Sequence, residues 1–187
     1  MTTPDPAEPN TTPLRVLVLA STFPVSETDP QPQFIRLLCR QLGKRGCAVT
    51  ALVPSAPGAV RCEQVDNTEV LRYRYFFRSM ETLAYGSGIL ENIRSNKARL
   101  FLIPFFVLGQ IVALVHLLRR RHWDAIHAHW IIPQGVVAIL AMVLARRKVP
   151  VCVTSHGGDL FAIKGRLGRA MKRWVLSRAD GVTVVSS

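Results

Sequence analysis

Short apolar runs alternate with amphipathic stretches along this chain, and the alternation predicts an α/β fold. The architecture expected is a doubly wound, mainly parallel sheet with helices on both faces. Three observations carry the prediction. The β-branched run at 16–20 suits a strand buried on both faces, 49–53 is a second apolar strand, and 125–129, 149–154 and 181–185 read as strands in the same alternation. Between the first two, Phe34, Ile35, Leu38, Cys39 and Leu42 recur at helical spacing, with Arg36, Arg40 and Lys44 on the other side. At 187 residues with 49% hydrophobic side chains, the chain suffices for one sizeable core and falls short of two.

Taken in order, residues 1–13 hold Pro4, Pro6, Pro9 and Pro13 but no Lys or Arg. They read as a disordered Pro-rich tail and not as a secretory signal, so a cytoplasmic location is expected. The domain itself runs over 14–187. Its first strand, 16–20, empties into a polar, proline-bearing loop at 21–32. The helix that follows stops at Gly46, and the second strand, 49–53, ends at Pro54. Strand, helix and strand with a short return make a βαβ unit, which implies parallel pairing and a right-handed crossover. Residues 59–62 and 70–77 are expected as further strands, before a loop of Tyr85, Gly86, Ser87 and Gly88. Beyond residue 120 the order is strand 125–129, helix 134–145, strand 149–154, helix 167–176 and strand 181–185.

Residues 100–118 carry no formal charge and are flanked by Arg94, Lys97 and Arg99 on one side and Arg119, Arg120 and Arg121 on the other. By length this stretch passes for a transmembrane span. Pro104, Gly109, Gln110 and His116 interrupt it, so the expectation is a core helix with Pro104 in its first turn and one face free to rest on a bilayer. A single membrane anchor is the alternative. Lys and Arg number 24 against 12 Asp and Glu, and almost all of the net +12 lies beyond residue 60. Such an excess suits nucleic acid, an anionic membrane surface or phosphorylated substrates. Nucleic acid is not expected, because the aromatic residues do not interleave with the basic ones. In 166–178, Leu167, Ala170, Met171 and Trp174 share one face, with Arg166, Arg169, Lys172 and Arg173 opposite. That helix either lies on anionic lipid or presents a solvated charged face. Cys39, Cys47, Cys62 and Cys152 are scattered and read as reduced, mostly buried thiols.

Ligands of a parallel sheet bind beyond the carboxyl ends of its strands. That rule gathers Ser21 and Thr22 with their loop, His129 and Trp130 with Gln134 and Gly135, the run from Ser155 to Asp159, and Ser186 with Ser187. Gly157 and Gly158 let backbone N–H groups approach a phosphate or sugar oxygen. His156 is a donor or acceptor whose charge its neighbours set, and Asp159 is placed to cap the next helix. A helix-capping turn that happens to hold a histidine fits the same residues. His127 and His129 share one strand face, and with His156 or Asp159 they are candidate metal ligands; packed rings are the alternative. Trp130 offers a platform for a sugar ring or a lipid, or a packing contact at the rim. The P-loop, the dinucleotide fingerprint and the nucleophile elbow are all missing, and no paired carboxylates stand out.

Taken together, 14–19, 46–54, the run Asp124-Ala125-Ile126-His127-Ala128-His129-Trp130, Pro133-Gln134-Gly135, Thr154-Ser155-His156-Gly157-Gly158-Asp159-Leu160 and 178–186 resemble the N-terminal half of family 4 glycosyltransferases. The stretches 72–77 and 83–92 resemble one bacterial subgroup. The resemblance implies a GT-B architecture, two Rossmann-like domains facing each other across a cleft. It implies sugar transfer with retention from a nucleotide-sugar, a co-substrate, and no cofactor or bound metal. By the same resemblance His156 is the catalytic histidine facing the donor sugar, with Gly157, Gly158 and Asp159 in its loop. Ser21 and Thr22 belong to the loop near the donor phosphates; His129, Trp130, Gln134 and Gly135 lie on the acceptor side. The family carries a glycine in that first loop, where this chain has Pro24, Pro30 and Pro32 and no glycine. The resemblance also implies a C-terminal donor-binding domain, expected to be absent here, so that the chain alone is inactive, truncated or paired with a partner supplying that half. The acceptor expected is a lipid-linked or cell-envelope glycan at the inner face of the cytoplasmic membrane, where the chain would be peripheral. The alternatives are a non-catalytic half-domain that binds acceptor or partner, and a metal-dependent hydrolase built on His127, His129 and His156.

Overall fold

The computed structural model describes residues 12–29, 31–161 and 163–185. Most of the Pro-rich tail, Pro30 of the first loop, and Ser186 and Ser187 of the expected rim lie outside the described residues.

Seven strands form one sheet: β1 (Arg15–Leu19), β2 (Ala48–Pro54), β3 (Cys62–Val65), β4 (Thr68–Tyr73), β5 (Ala125–His129), β6 (Val151–Ser155) and β7 (Gly181–Val184). Their order is β3-β4-β2-β1-β5-β6-β7, and every pair is parallel except the β3–β4 hairpin at the edge. The helices are α1 (Phe34–Lys44), α2 (Ile89–Ser95), α3 (Ile103–Arg120), α4 (Val136–Ala145), α5 (Gly158–Phe161) and α6 (Gly165–Leu176). Side chains alternate across the sheet as a pleat requires. Leu17 and Leu19 join Leu52, Ile126, Val151 and Val153 in a core shared with α3 and α4. Val18 and Ala20 face the other way, onto Val49, Ala51, Val53 and the Ile35 and Cys39 of α1. The doubly wound α/β arrangement read from the sequence is therefore the observed one. The strand order reverses at β1, leaving a crevice between the carboxyl ends of β1 and β5, where such sheets bind ligands.

The middle of the sheet differs from expectation. The strands expected at 59–62 and 70–77 are found at 62–65 and 68–73. An edge strand needs only one apolar face, so Cys62, Glu63, Gln64 and Val65 carry no apolar run to be recognised by. Tyr75 and Phe76 leave the sheet because the Glu81 carboxylate accepts both of their N–H groups, at 2.7 and 3.1 Å. The hairpin turns at Asp66, whose φ of 52° is one that Asp tolerates better than most residues.

Helix α3 starts with Pro104 in its first turn and buries Phe106, Gln110, Leu114, Leu117 and Leu118. With the 3₁₀ turn before it, Lys97–Arg120 contains an 18-residue window of mean hydropathy 2.3 and is long and apolar enough to cross a membrane. Its inner face belongs to the core all the same, while Phe101, Leu108 and Val112 point outward and are 62%, 58% and 61% exposed. Gly109 lets the helix lie directly on the chain after β4, since a Cβ there would stand 2.8 Å from the Arg74 carbonyl oxygen. Gly109→Ala should therefore lower stability by about 1–3 kcal/mol, against the ~1 kcal/mol that alanine gains in a helix. Urea unfolding measures the difference, and an unchanged or raised midpoint would refute this packing.

Two further expectations are corrected. Of the four free cysteines only Cys39 is buried, and Cys62 is exposed on the edge hairpin. Burial pushes the Cys39 thiol up to about 12, so it stays protonated and inert. In α6 the buried positions are Gly168 and Val175, whereas Leu167 is 75% exposed. Gly168 sits so close to Ile163 that a Cβ would meet its Cγ2 at 2.8 Å. That contact rotates the helix and leaves Leu167 outside, beside Arg166 and Arg169.

Candidate functional site

Three segments leave the carboxyl ends of β1, β5 and β6 side by side, and buried hydrogen bonds tie them together. Gln134, fully buried, donates its amide N–H to the His129 carbonyl at 3.1 Å and accepts the Ser21 N–H at 3.2 Å. Asp159 does the same between β5 and β6. One carboxylate oxygen accepts the Ile131 N–H at 2.5 Å, and the other accepts the Ser155 hydroxyl at 2.9 Å. The sequence placed Asp159 as a helix cap; its carboxylate instead reaches across to the neighbouring segment, because its side chain is buried beneath the loop.

The loop 21–32 is braced without a glycine. Thr22 donates its hydroxyl to the Gln31 side-chain oxygen at 2.5 Å, and Arg72 donates to the Phe23 and Pro24 carbonyls at 3.4 and 3.3 Å. Thr22 is thus buried and engaged inside the loop, and only Ser21 is partly open. Gly135 is also beneath the rim: a Cβ there would stand 2.7 Å from Val175, so it serves the packing of α6. The helix expected from 134 begins at Val136 as α4, after a kinked turn over Ile131–Gly135 in which Ile132 is extended, with φ −129° and ψ 126°.

Above these braces stands a group of rings. His156 has Phe34 and Trp130 each at 4.8 Å between centroids, and His129 stacked at 5.2 Å. His127 lies under His129 at 4.2 Å. His129 Nδ1 and His156 Nε2 are 3.0 Å apart and share one proton. His129 Nε2 is buried with no partner. A lone pair without a partner costs less there than an N–H without one, so the proton resides on His129 Nδ1 and is donated to His156 Nε2. His156 then carries its own proton on Nδ1, which has no partner among the described residues and is a donor available to a ligand. Burial lowers the pKa of all three histidines, that of His129 to about 2. The stack is neutral at pH 7. Its nitrogens face each other and Thr154, and among the described residues no group of three or more His, Cys, Asp or Glu is arranged to hold a metal ion.

Trp130 adopts φ 75° and ψ 132°, a conformation costing a side-chain-bearing residue about 1–3 kcal/mol. It is held there by its N–H on the Thr154 carbonyl at 2.8 Å and its carbonyl accepting the Gly135 N–H at 3.1 Å. Gly157 has φ 81°, which turns the chain after His156 at no such cost. The sequence did not single out Phe34. Helical spacing puts it on the core side of its helix, yet it is the first residue of α1 and covers His156 with 38% exposure. Its position immediately after a rim loop was the signal available.

A mostly parallel sheet with a braced polar rim beyond its carboxyl ends defines a Rossmann-like α/β domain, a fold class whose ligands lie at that edge. The family model described as a glycosyl transferase 4-like domain matches residues 32–187, and the chain belongs to that family. It is thus a glycosyltransferase-type domain, of a kind that binds sugar donors and acceptors. No curated protein matches this chain.

Proposed function

We propose that this domain forms the acceptor-side wall of a retaining GT-B glycosyltransferase that uses a nucleotide-sugar donor. The observation that carries the reading is the neutral His156, its Nδ1–H directed by His129 and its ring held between Phe34 and Trp130. Such a donor suits a hydroxyl of the donor sugar and not a phosphate, which an imidazolium would serve better. The Gly158 N–H is a second donor, the Gly157 N–H being given to the Ser155 hydroxyl oxygen at 3.3 Å, and Ser21 approaches from the other strand. Trp130 offers its ring as a platform for the acceptor sugar. Asp159 and Gln134 act as positioning residues, because each joins two of the three segments from below. The acceptor in this reading is a glycan or lipid-linked intermediate at the inner face of the cytoplasmic membrane. Leu160, Phe161 and Leu167, all exposed beside the basic residues of α6, suit peripheral contact with anionic lipid.

Binding can be read directly, because Trp130 touches His156. Titration with a panel of nucleotide-sugars should change tryptophan emission saturably for at least one. Trp130→Phe should remove the change, and His156→Ala should weaken the affinity by about tenfold or more, the value of one good hydrogen bond to a buried polar group. If no nucleotide-sugar alters Trp130 emission in the intact chain, the reading fails.

A further inference from the structure

Away from the histidine rim, a groove of about 650 Å³ runs between α3 and the strands β3 and β4. Its lining is largely apolar, with Leu71 and Phe105 half-buried and Leu108 and Val112 exposed along its rim. From Phe105 to His116 the helix gives it a length of about 16 Å. At its cleft end it opens into a cavity of about 780 Å³ lined by Arg61, Arg72, Arg74 and Arg78. Arg61, Arg72 and Arg74 line both spaces, so the two adjoin. Two of these arginines are neutralised by carboxylates: Arg72 pairs with Glu63 at 3.0 Å and Arg74 with Glu81 at 3.4 Å. Arg61 and Arg78 have exposed side chains that make no ion pair or hydrogen bond among the described residues. Tyr73, also in the groove wall, holds its hydroxyl buried without a partner.

We infer that this groove binds one lipid with a phosphate-class head, its hydrocarbon chain along α3 and its anionic head against Arg61 and Arg78. Apolar surface and uncompensated positive charge are separated end to end, which is the complement of such an amphiphile. A bilayer surface is the poorer match. The groove is lined on two sides by α3 and the hairpin, and the arginines in its lining are gathered at one end, while the basic residues that flank α3 lie outside it. The arginine end opens at the same edge of the sheet as His156, which puts the head of the lipid on the cleft side. Naming this lipid as the acceptor, or its carrier portion, rests on the transferase reading; the binding site does not.

The test is titration calorimetry of the purified chain with dodecyl phosphate below its micelle concentration. The comparison probes are dodecyl maltoside and inorganic phosphate. Saturable one-to-one binding of dodecyl phosphate is expected, at least tenfold tighter than either comparison. The double variant Arg61→Ala/Arg78→Ala should weaken it tenfold or more, and Val112→Gln should weaken it severalfold. All three positions are exposed, and circular dichroism checks that the variants fold. Equal binding of the neutral maltoside overturns the head-group assignment. Equal binding of inorganic phosphate overturns the lipid in favour of a free anion, and adsorption without saturation overturns the single site in favour of a membrane surface. Lipid binding without any nucleotide-sugar response would retain this groove and remove the transferase reading. A nucleotide-sugar response without lipid binding would do the reverse.

Discussion

Replacing Asp159 by alanine should lower the stability of this domain by about 2–5 kcal/mol, since it leaves two buried donors without acceptors at ~1–3 kcal/mol each. The donors are the Ile131 N–H and the Ser155 hydroxyl, in residues only 1% and 3% exposed. Both bonds run to an anionic acceptor, which places them among the stronger hydrogen bonds. Asp159→Asn keeps one acceptor oxygen and turns an NH₂ toward the other donor, so it should lose roughly half as much. Urea unfolding of the three proteins measures the order. Because Asp159 joins the segment holding Trp130 to the loop holding His156, the alanine variant should also lose the Trp130 response to ligand before it unfolds. An alanine variant within ~0.5 kcal/mol of the parent, the usual range for changes away from buried networks, would show that this brace does not hold the rim.

The example also shows what a sequence reveals and what it hides. Strands β1 and β2 were legible because burial on both faces leaves continuous apolar runs, while β5, β6 and the exposed edge strand β7 were legible from their place in the strand–helix alternation. Pro104 marked the start of α3 because its ring fits only a first turn. The edge hairpin was not legible, since β3 has one wet face and its boundaries are set by Asp66 and by the Glu81 carboxylate. At the site, the topology rule correctly gathered the three rim segments, whereas the direction of each side chain was beyond it. Whether Asp159 or Gln134 points into the crevice or beneath it depends on tertiary hydrogen bonds that no local pattern encodes. Phe34 was hidden for a related reason. Helical periodicity assigned it to the core side, but a first residue projects past the end of the sheet, where there is no core to cover.

The histidine stack should make this domain acid-sensitive in a defined window. Burial, and then the fields of His127 and His156, hold His129 at about 2, against 6.5 for an ordinary histidine. The unfolded chain therefore takes up a proton below pH ~6.5 that the folded chain refuses until far lower pH. The stability that this group contributes is complete above pH ~6.5 and falls as the pH drops, by at most ~1.4 kcal/mol per unit. By pH ~4.5 the loss from His129 alone should approach ~2.5 kcal/mol, with His127 and His156, also lowered by burial, adding in the same direction. Paired carboxylates lose stability in acid too, so the informative quantity is a difference between two proteins. His129→Leu removes the titrating ring and keeps the position apolar. Its stability should fall less steeply than that of the parent between pH ~6.5 and ~4.5, where linkage puts the effect. Parallel curves would mean that His129 is protonated in the folded state. Its buried Nε2 would then bear a proton and not an unpartnered lone pair, and the neutral ring stack on which the reading of His156 rests would fall.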